Sequence, residues 1–262
     1  MKRRKPEKLP PIEGDEPGEF ASPACAARDM APAYMWAQPA DLDIEARLLY
    51  RDGLMLVVDK PAGLPVHGGP GGGDNLERHF DALRFGLPKA PGLAHRLDRD
   101  TSGCLVLGRH RKALAKLGKL FAEGQVEKVY WAVVQGSPAA DEGRIEAPLL
   151  KQNNRTGGWR MVVDPAGQAA VTDWRILGRS EKTTWIEFRP RTGRTHQIRV
   201  HGAELACPLL GDPQYGGPAG QLHLHARSIT VPLYKNRAAI AVTAPVPAHM
   251  RDALVACGFD GT

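Results

Sequence analysis

Apolar positions along the chain fall into short runs separated by turn formers, and the runs differ in period. Leu54-Met55-Leu56-Val57-Val58 is unbroken, as in a strand buried on both faces, and Lys60-Pro61-Ala62-Gly63-Leu64-Pro65 must turn after it. Ala113, Leu114, Leu117, Leu120 and Phe121 recur at helical spacing and predict one amphipathic helix with a basic outer face (Arg111, Lys112, Lys116, Lys119). Beyond it the period drops to two. Lys128–Gln135 alternates Val129/Trp131/Val133 against Tyr130/Ala132/Val134, and Thr183–Arg189 places Ile186 and Phe188 on one side. Ala170–Ile176, Arg227–Pro232 and Ala239–Thr243 are further strand candidates, and His223 and His225 share a strand pattern. Strands that outnumber helices, with connections of irregular length, predict an α+β chain built on a mixed or antiparallel sheet rather than a doubly wound parallel one. No internal repeat is visible.

Two segments lack periodicity. Residues 1–40 hold Pro6, Pro10, Pro11, Pro17, Pro23, Pro32 and Pro39 and predict an extended or disordered arm ahead of a folded body over 41–262. Gly68-Gly69-Pro70-Gly71-Gly72-Gly73 has neither the Lys-Ser/Thr of a phosphate-binding P-loop nor a helix pattern starting on its last glycine, so it reads as a flexible loop.

Composition narrows the class. At 262 residues, 42% hydrophobic and 24% charged, the chain is long enough for one large domain or two small ones with a substantial core. The 29 glycines and 22 prolines argue against a helix bundle. No apolar run approaches the roughly 18 residues of a membrane span, and Met1–Lys5 leads into Pro and Glu rather than a secretory apolar region. Cys25, Cys104, Cys207 and Cys257 form no C-x-x-C pair, which predicts free thiols in a reducing cytoplasm and no cysteine zinc site. The net charge of +6 is a mild hint of a polyanionic partner until it is located. Five basic and five acidic residues cancel over 1–20, whereas 94–128 holds eight basic against four acidic residues and 189–201 four against none. The excess belongs to the body.

Those two basic segments carry the candidate chemistry. In His95-Arg96-Leu97-Asp98-Arg99-Asp100-Thr101-Ser102-Gly103, two acids and two arginines crowd ahead of the buried-strand pattern Cys104–Leu107. A local ion-paired turn is the plain reading. A carboxylate at a strand mouth among guanidinium groups would alternatively stay ionised, as a nucleophile or electrostatic stabiliser requires. Asp100, between Arg99 and Thr101, suits a turn cap. Arg191-Thr192-Gly193-Arg194-Thr195-His196-Gln197-Ile198-Arg199-Val200-His201 follows a strand and a Gly turn, with Thr192 or Thr195 as N-cap. A helix here would put Arg194, Ile198 and His201 on one face, and four arginines, counting Arg189, without an acid suit phosphates. With one histidine off that face, His196 and His201 read as hydrogen-bonded scaffold rather than a metal pair.

The chain from about Leu48 to Pro247 resembles the RluA-like family of RNA pseudouridine synthases. The resemblance rests on Leu56–His67, His95–Gly103, Glu127–Val134, Arg191–His201, Pro208–Gly216 and Leu224-His225-Ala226, in the family's order. It implies a pseudouridine-synthase-like α+β fold, a mainly antiparallel sheet flanked by helices and loops with a central RNA-binding cleft. It implies that Asp98 is the catalytic aspartate, that Tyr130 lies against the target base, and that Arg194 pairs with Asp98. Leu224 corresponds to the apolar residue lining the base pocket, with Arg96 and Ile198 as further substrate-binding candidates. Cys104 stands where a larger aliphatic is usual, and Trp131 where leucine is. No segment reads as the S4 RNA-binding module of some relatives. The implied reaction breaks the uridine N1–C1′ bond, turns the uracil and joins C5 to C1′. It needs no cofactor or metal, and it acts on ribosomal RNA, transfer RNA or both in the cytoplasm, by a monomer. Asp98 either adds covalently to the sugar or base or abstracts a sugar proton. Two other classes stay open on the residues alone: a non-catalytic RNA chaperone or assembly factor, and a hydrolase using Asp98 and Asp100 as an acid–base pair.

Overall fold

The computed structural model describes residues 42–68, 73–153 and 158–261. The arm over 1–40 and most of the Gly68–Gly73 loop therefore lie outside the described residues, as does Cys25.

Strands β1 (Leu48–Arg51) and β2 (Met55–Lys60) form a hairpin, and a kinked 3-10 segment, Leu76–Arg84, follows. Short β3 (Gly92–Leu93) and fully buried β4 (Ser102–Gly108) lead into α1 (Arg111–Ala122) and β5 (Glu127–Gln135). Next come β6 (Glu142–Glu146), a separate hairpin of β7 (Leu149–Asn153) and β8 (Trp159–Val163), then β9 (Val171–Arg179), β10 (Thr183–Pro190) and α2 (Gln197–Glu204). The chain ends with β11 (Leu224–Val231), β12 (Ile240–Thr243) and α3 (Ala248–Ala256). The main sheet runs β1-β2-β4-β11-β5-β10-β9-β6, with β3 on β4 and β12 on β11. Every pairing is antiparallel except β4 with β11, so the mixed, mainly antiparallel α+β architecture expected from the sequence is the one present.

Period-two patterning does what it predicts. In β2, Leu56 and Val58 join Leu105, Leu107, Leu76, Phe80 and Leu83 on one face, while Met55 and Val57 join Val106, Leu117 of α1 and Val231 on the other. Layers on both faces explain the unbroken apolar run. Likewise Ala132, Val134, Ile186 and Phe188 pack together toward α2, and Val133 and Trp185 pack on Met250 and Leu254 of α3. α1 buries Ala113 and Leu117 and exposes its four cations. Cys104, Cys207 and Cys257 are free and buried.

β11 changes partner halfway. His225 and Ala226 lie parallel to Ser102 and Gly103 of β4, whereas Ser228–Val231 pair with β12. The crossing requires Gly103: it sits at φ +104°, and a Cβ there would stand 2.3 Å from the Ala226 carbonyl oxygen. Only glycine tolerates both the conformation and the approach.

The Arg191–His201 expectation needs two corrections. α2 begins at Gln197, so Arg194 precedes the helix and shares no helical face with Ile198 and His201. Neither threonine caps it. Thr192 Oγ1 donates to Gln197 Oε1 at 2.7 Å, and Thr195 Oγ1 accepts from Arg96 at 2.9 Å. Buried Gln197 does the tying instead: its Oε1 also accepts from Arg194 N, and its Nε2 donates to Val171 O and Thr172 Oγ1. Gly103→Ala should lower unfolding stability by more than about 2 kcal/mol, measured by chemical denaturation, because both strain and overlap with backbone must be relieved.

Candidate active site

Lys60, the last residue of β2, has 0% exposure, and its ammonium donates to the carbonyls of Pro61, Arg99 and Thr101, each at 2.8 Å. Those bonds, with Thr101 N–H on Asp98 O at 3.2 Å, fold residues 98–101 into a tight turn at the mouth of β4. Burial pushes the Lys60 ammonium down to about 7, against the opposing charges of Asp100, Asp98 and Asp59. His95, just before the turn, is locked inward: its Nε2 accepts from Val106 N–H at 3.0 Å, its ring stacks on Phe121, and burial lowers it to about 3, so it is neutral.

The turn opens on a cleft of about 460 Å³ lined by Arg96, Asp98, Tyr130, Arg194, Ile198 and Leu224, all six sequence-derived site residues, together with Lys128, His196 and Arg199. Tyr130 comes from β5, Leu224 from the start of β11 and Ile198 from α2, and the last two are buried among the apolar side chains of the floor. Asp98 shows 31% of its side chain. Burial raises its pKa above the ordinary carboxylate value, tempered by Arg199, Arg96 and Lys60. This reverses the expectation that flanking guanidinium groups would dominate: desolvation is the larger effect. Burial and the Asp98 charge together raise the Tyr130 phenol, which stays protonated.

Arg194 departs from its expected contact. Its Nε donates to Ala169 O at 3.0 Å and its side chain is exposed; Arg199 is the cation acting most strongly on Asp98. Arg199 is held by buried Asp212 through two bonds of 2.7 Å, with Gln214 Oε1 as a third acceptor and Tyr215 beneath the guanidinium. Asp100 pairs with its neighbour Arg99 at 3.0 Å and does not line the cleft, which leaves an acid–base pair of Asp98 and Asp100 without its second member. Sequence reasoning missed Lys60, Arg199 and Asp212 as parts of the site. A buried-strand pattern ending in lysine, as Met55–Lys60 does, was the available signal for the first. His201, bonded to Thr172 Oγ1 and Ala147 O, is scaffold as expected, and so is His225, on Ser102 Oγ at 2.9 Å. Among the described residues, no group of three or more His, Cys, Asp and Glu is placed to hold a metal ion, and no helix is long and apolar enough to cross a membrane.

This sequence and fold are similar to those of proteins named as RNA pseudouridine synthases. A profile described as RNA pseudouridylate synthase matches residues 54–204. An RNA pseudouridine synthase of Zymomonas mobilis, itself uncharacterized, is 43% identical over 79% of this chain and 96% of its own. Ribosomal large subunit pseudouridine synthase C of Haemophilus ducreyi is 38% identical over 81% of this chain and 69% of its own. Among solved structures, human RNA Pseudouridylate Synthase Domain Containing 4 superposes with a TM-score of 0.69 at 26% identity, covering 82% of this chain and 94% of that one. The chain belongs to the RNA pseudouridylate synthase family, in its RluA-like branch, and is an isomerase acting on RNA.

Two stability predictions follow from the site's electrostatics. Lys60→Met leaves three carbonyls, one buried and two part-buried, without their donor and should cost about 3 kcal/mol or more in denaturant unfolding. Asp98→Asn should melt no lower than wild type at neutral pH. A carboxylate whose folded pKa is raised costs stability once ionised, so the variant's advantage opens as pH rises through the ordinary value of 3.8 and levels off above the raised one. Melting curves between pH 3 and 8 would check the sign.

Proposed function

We propose that the chain converts specific uridines of ribosomal or transfer RNA to pseudouridine in the cytoplasm, with Asp98 as the catalytic residue. The observation that carries this reading is the convergence, in one cleft built mainly from the matched family segment, of the desolvated Asp98 carboxylate with Tyr130 above an apolar floor. A uracil suits such a floor: Leu224 and Ile198 offer it apolar surface, and Tyr130 offers a ring to stack on. The target nucleotide must leave its helix to reach a recessed carboxylate.

Asp98, whose affinity for a proton is raised, is a stronger base and nucleophile than an exposed aspartate. Either action on the sugar or base loosens the N1–C1′ bond. The uracil then turns and C5 bonds to C1′; the Asp98–carbon bond breaks, or the sugar proton held by Asp98 returns, and the C5 proton leaves while N1 gains one, so atoms balance with no net redox change. Arg199, braced by Asp212, takes the charge-stabilising role that the family resemblance gave to Arg194. The exposed Arg194, with Arg96 and Lys128 along the cleft walls, is suited to RNA phosphates. Support for ribosomal RNA comes from the relatives named as ribosomal large subunit enzymes. The catalytic domain extends in this reading over 41–262.

Asp98→Asn should abolish tritium release from RNA carrying [5-3H]uridine while binding RNA within about threefold of wild type, because phosphate contacts are untouched. Near-normal release by that variant would sink the assignment. Mapping pseudouridine across total RNA from a strain lacking the protein should show one or a few sites lost. An unchanged map would refute the reading.

A further inference from the structure

His196 stands between the catalytic cleft and the β7–β8 hairpin, and nothing in the reaction as described uses it. Its backbone is in the left-handed region at φ 53°, ψ 18°, one of three non-glycine residues with positive φ among those described. Such strain persists only where surrounding contacts enforce it. Here they come from three sides. The Trp159 indole of β8 stacks on the imidazole at 5.0 Å between ring centres, 23° from parallel. The Tyr215 hydroxyl lies 2.7 Å from His196 Nδ1 and accepts from the Met161 N–H at 3.0 Å. On the far side, His196 Nε2 is 3.9 Å from Asp98 Oδ2.

These contacts favour one place for the imidazole proton. The Tyr215 oxygen already receives the Met161 N–H, and its own proton has no acceptor other than His196 Nδ1 within hydrogen-bond range among the described residues. With the hydroxyl donating, Nδ1 accepts, and in a neutral ring the proton is then on Nε2, the nitrogen on the Asp98 side. Burial and the Arg199 charge keep the ring neutral, lowering it to about 4.

We propose that His196 is a positioning residue for Asp98: its Nε2–H, fixed by the Met161–Tyr215 relay, holds one oxygen of the carboxylate and leaves the other free to act on the uridine. The inference rests on the reading of Asp98 as catalytic. At 3.9 Å the pair stands about 1 Å beyond a hydrogen bond, a gap of the kind that closes when substrate excludes water. The relay also joins the rate to the hairpin: Met161 and Trp159 both belong to β8 and reach the carboxylate only through His196 and Tyr215.

The test is tritium release from total RNA labelled with [5-3H]uridine in a strain lacking the protein, measured against pH for wild type and four variants. His196→Asn tolerates the left-handed backbone but does not reach Asp98. Its kcat should fall about tenfold or more with KM within about threefold. Its acid limb should move up by about one pH unit, because the carboxylate has lost a donor that favours its charged form. The other groups acting on Asp98 stay in place: Lys60 from β2, Arg96 and Asp100 in its own turn, Tyr130 from β5, Arg199 from α2 and Tyr215. His196→Gln, whose amide reaches the Nε2 position, should recover part of kcat and return the limb toward wild type. Tyr215→Phe, which frees the tautomer, should lose less than His196→Asn. If His196→Asn keeps kcat within about threefold, or loses it with the limb unmoved and no recovery in His196→Gln, the inference is overturned and His196 is scaffold. An active Asp98→Asn in the same assay would instead remove the underlying reading, so the two failures are distinguishable.

Discussion

A lysine ammonium in a protein interior must have its donors satisfied, and at Lys60 three backbone carbonyls meet that demand. Two of them, from Arg99 and Thr101, belong to the turn that carries Asp98. The side chain thereby converts the end of a hydrophobic strand into the anchor of the loop that carries Asp98. The same region depends on Gly103, whose missing side chain lets β4 lie parallel against β11. That contact brings Leu224, and through β5 Tyr130, to the mouth of the strand that Asp98 precedes. A turn held by one ammonium and a strand crossing held by one glycine fix the three elements around the cleft.

Burial and charge act against each other at the centre of that cleft. Asp98 faces three cations, yet its removal from water outweighs them and its proton affinity rises. The cations are not free to collapse onto it. Lys60 is spent on carbonyls, Arg96 reaches Thr195, and Arg199 is gripped by Asp212 and Gln214. Each therefore contributes field without a direct contact that would neutralise the carboxylate and lower its basicity. The histidines nearby follow the same logic. His95 and His196 are both desolvated to neutrality and act through ring nitrogens whose proton positions their partners set.

Strands, their faces and the basic helix were legible in the sequence because period two and period 3.6 reflect burial directly. Ala132 and Val134 against Val133, and Ile186 with Phe188, sit where alternation put them, and the unbroken Leu54–Val58 run is covered on both faces. The weakly patterned β7–β8 hairpin was not legible: Leu150, Trp159 and Val163 stay partly exposed, and only Leu149 and Met161 reach a core. The start of α2 was misread for a different reason. Thr192 and Thr195 are ordinary caps by composition, but their hydroxyls bond to Gln197 and to Arg96 from a segment 99 positions away.

The motif residues told the same story at the site. Asp98, Tyr130, Arg96, Ile198 and Leu224 were identifiable one by one, since short motifs preserve residue type and spacing, and they do share the cleft. Which arginine serves Asp98 was not, because Arg194 and Arg199 lie five residues apart in a segment whose helix register only the folded chain defines. Gln197 ties Arg194 outward to Ala169, and Asp212, thirteen residues beyond Arg199, holds that guanidinium inward. Local sequence determined the elements through periodicity, and its motifs, through family resemblance, singled out the candidate reacting groups. Tertiary structure alone decided the charges around the carboxylate, because desolvation and long-range pairing depend on neighbours that are distant in the chain.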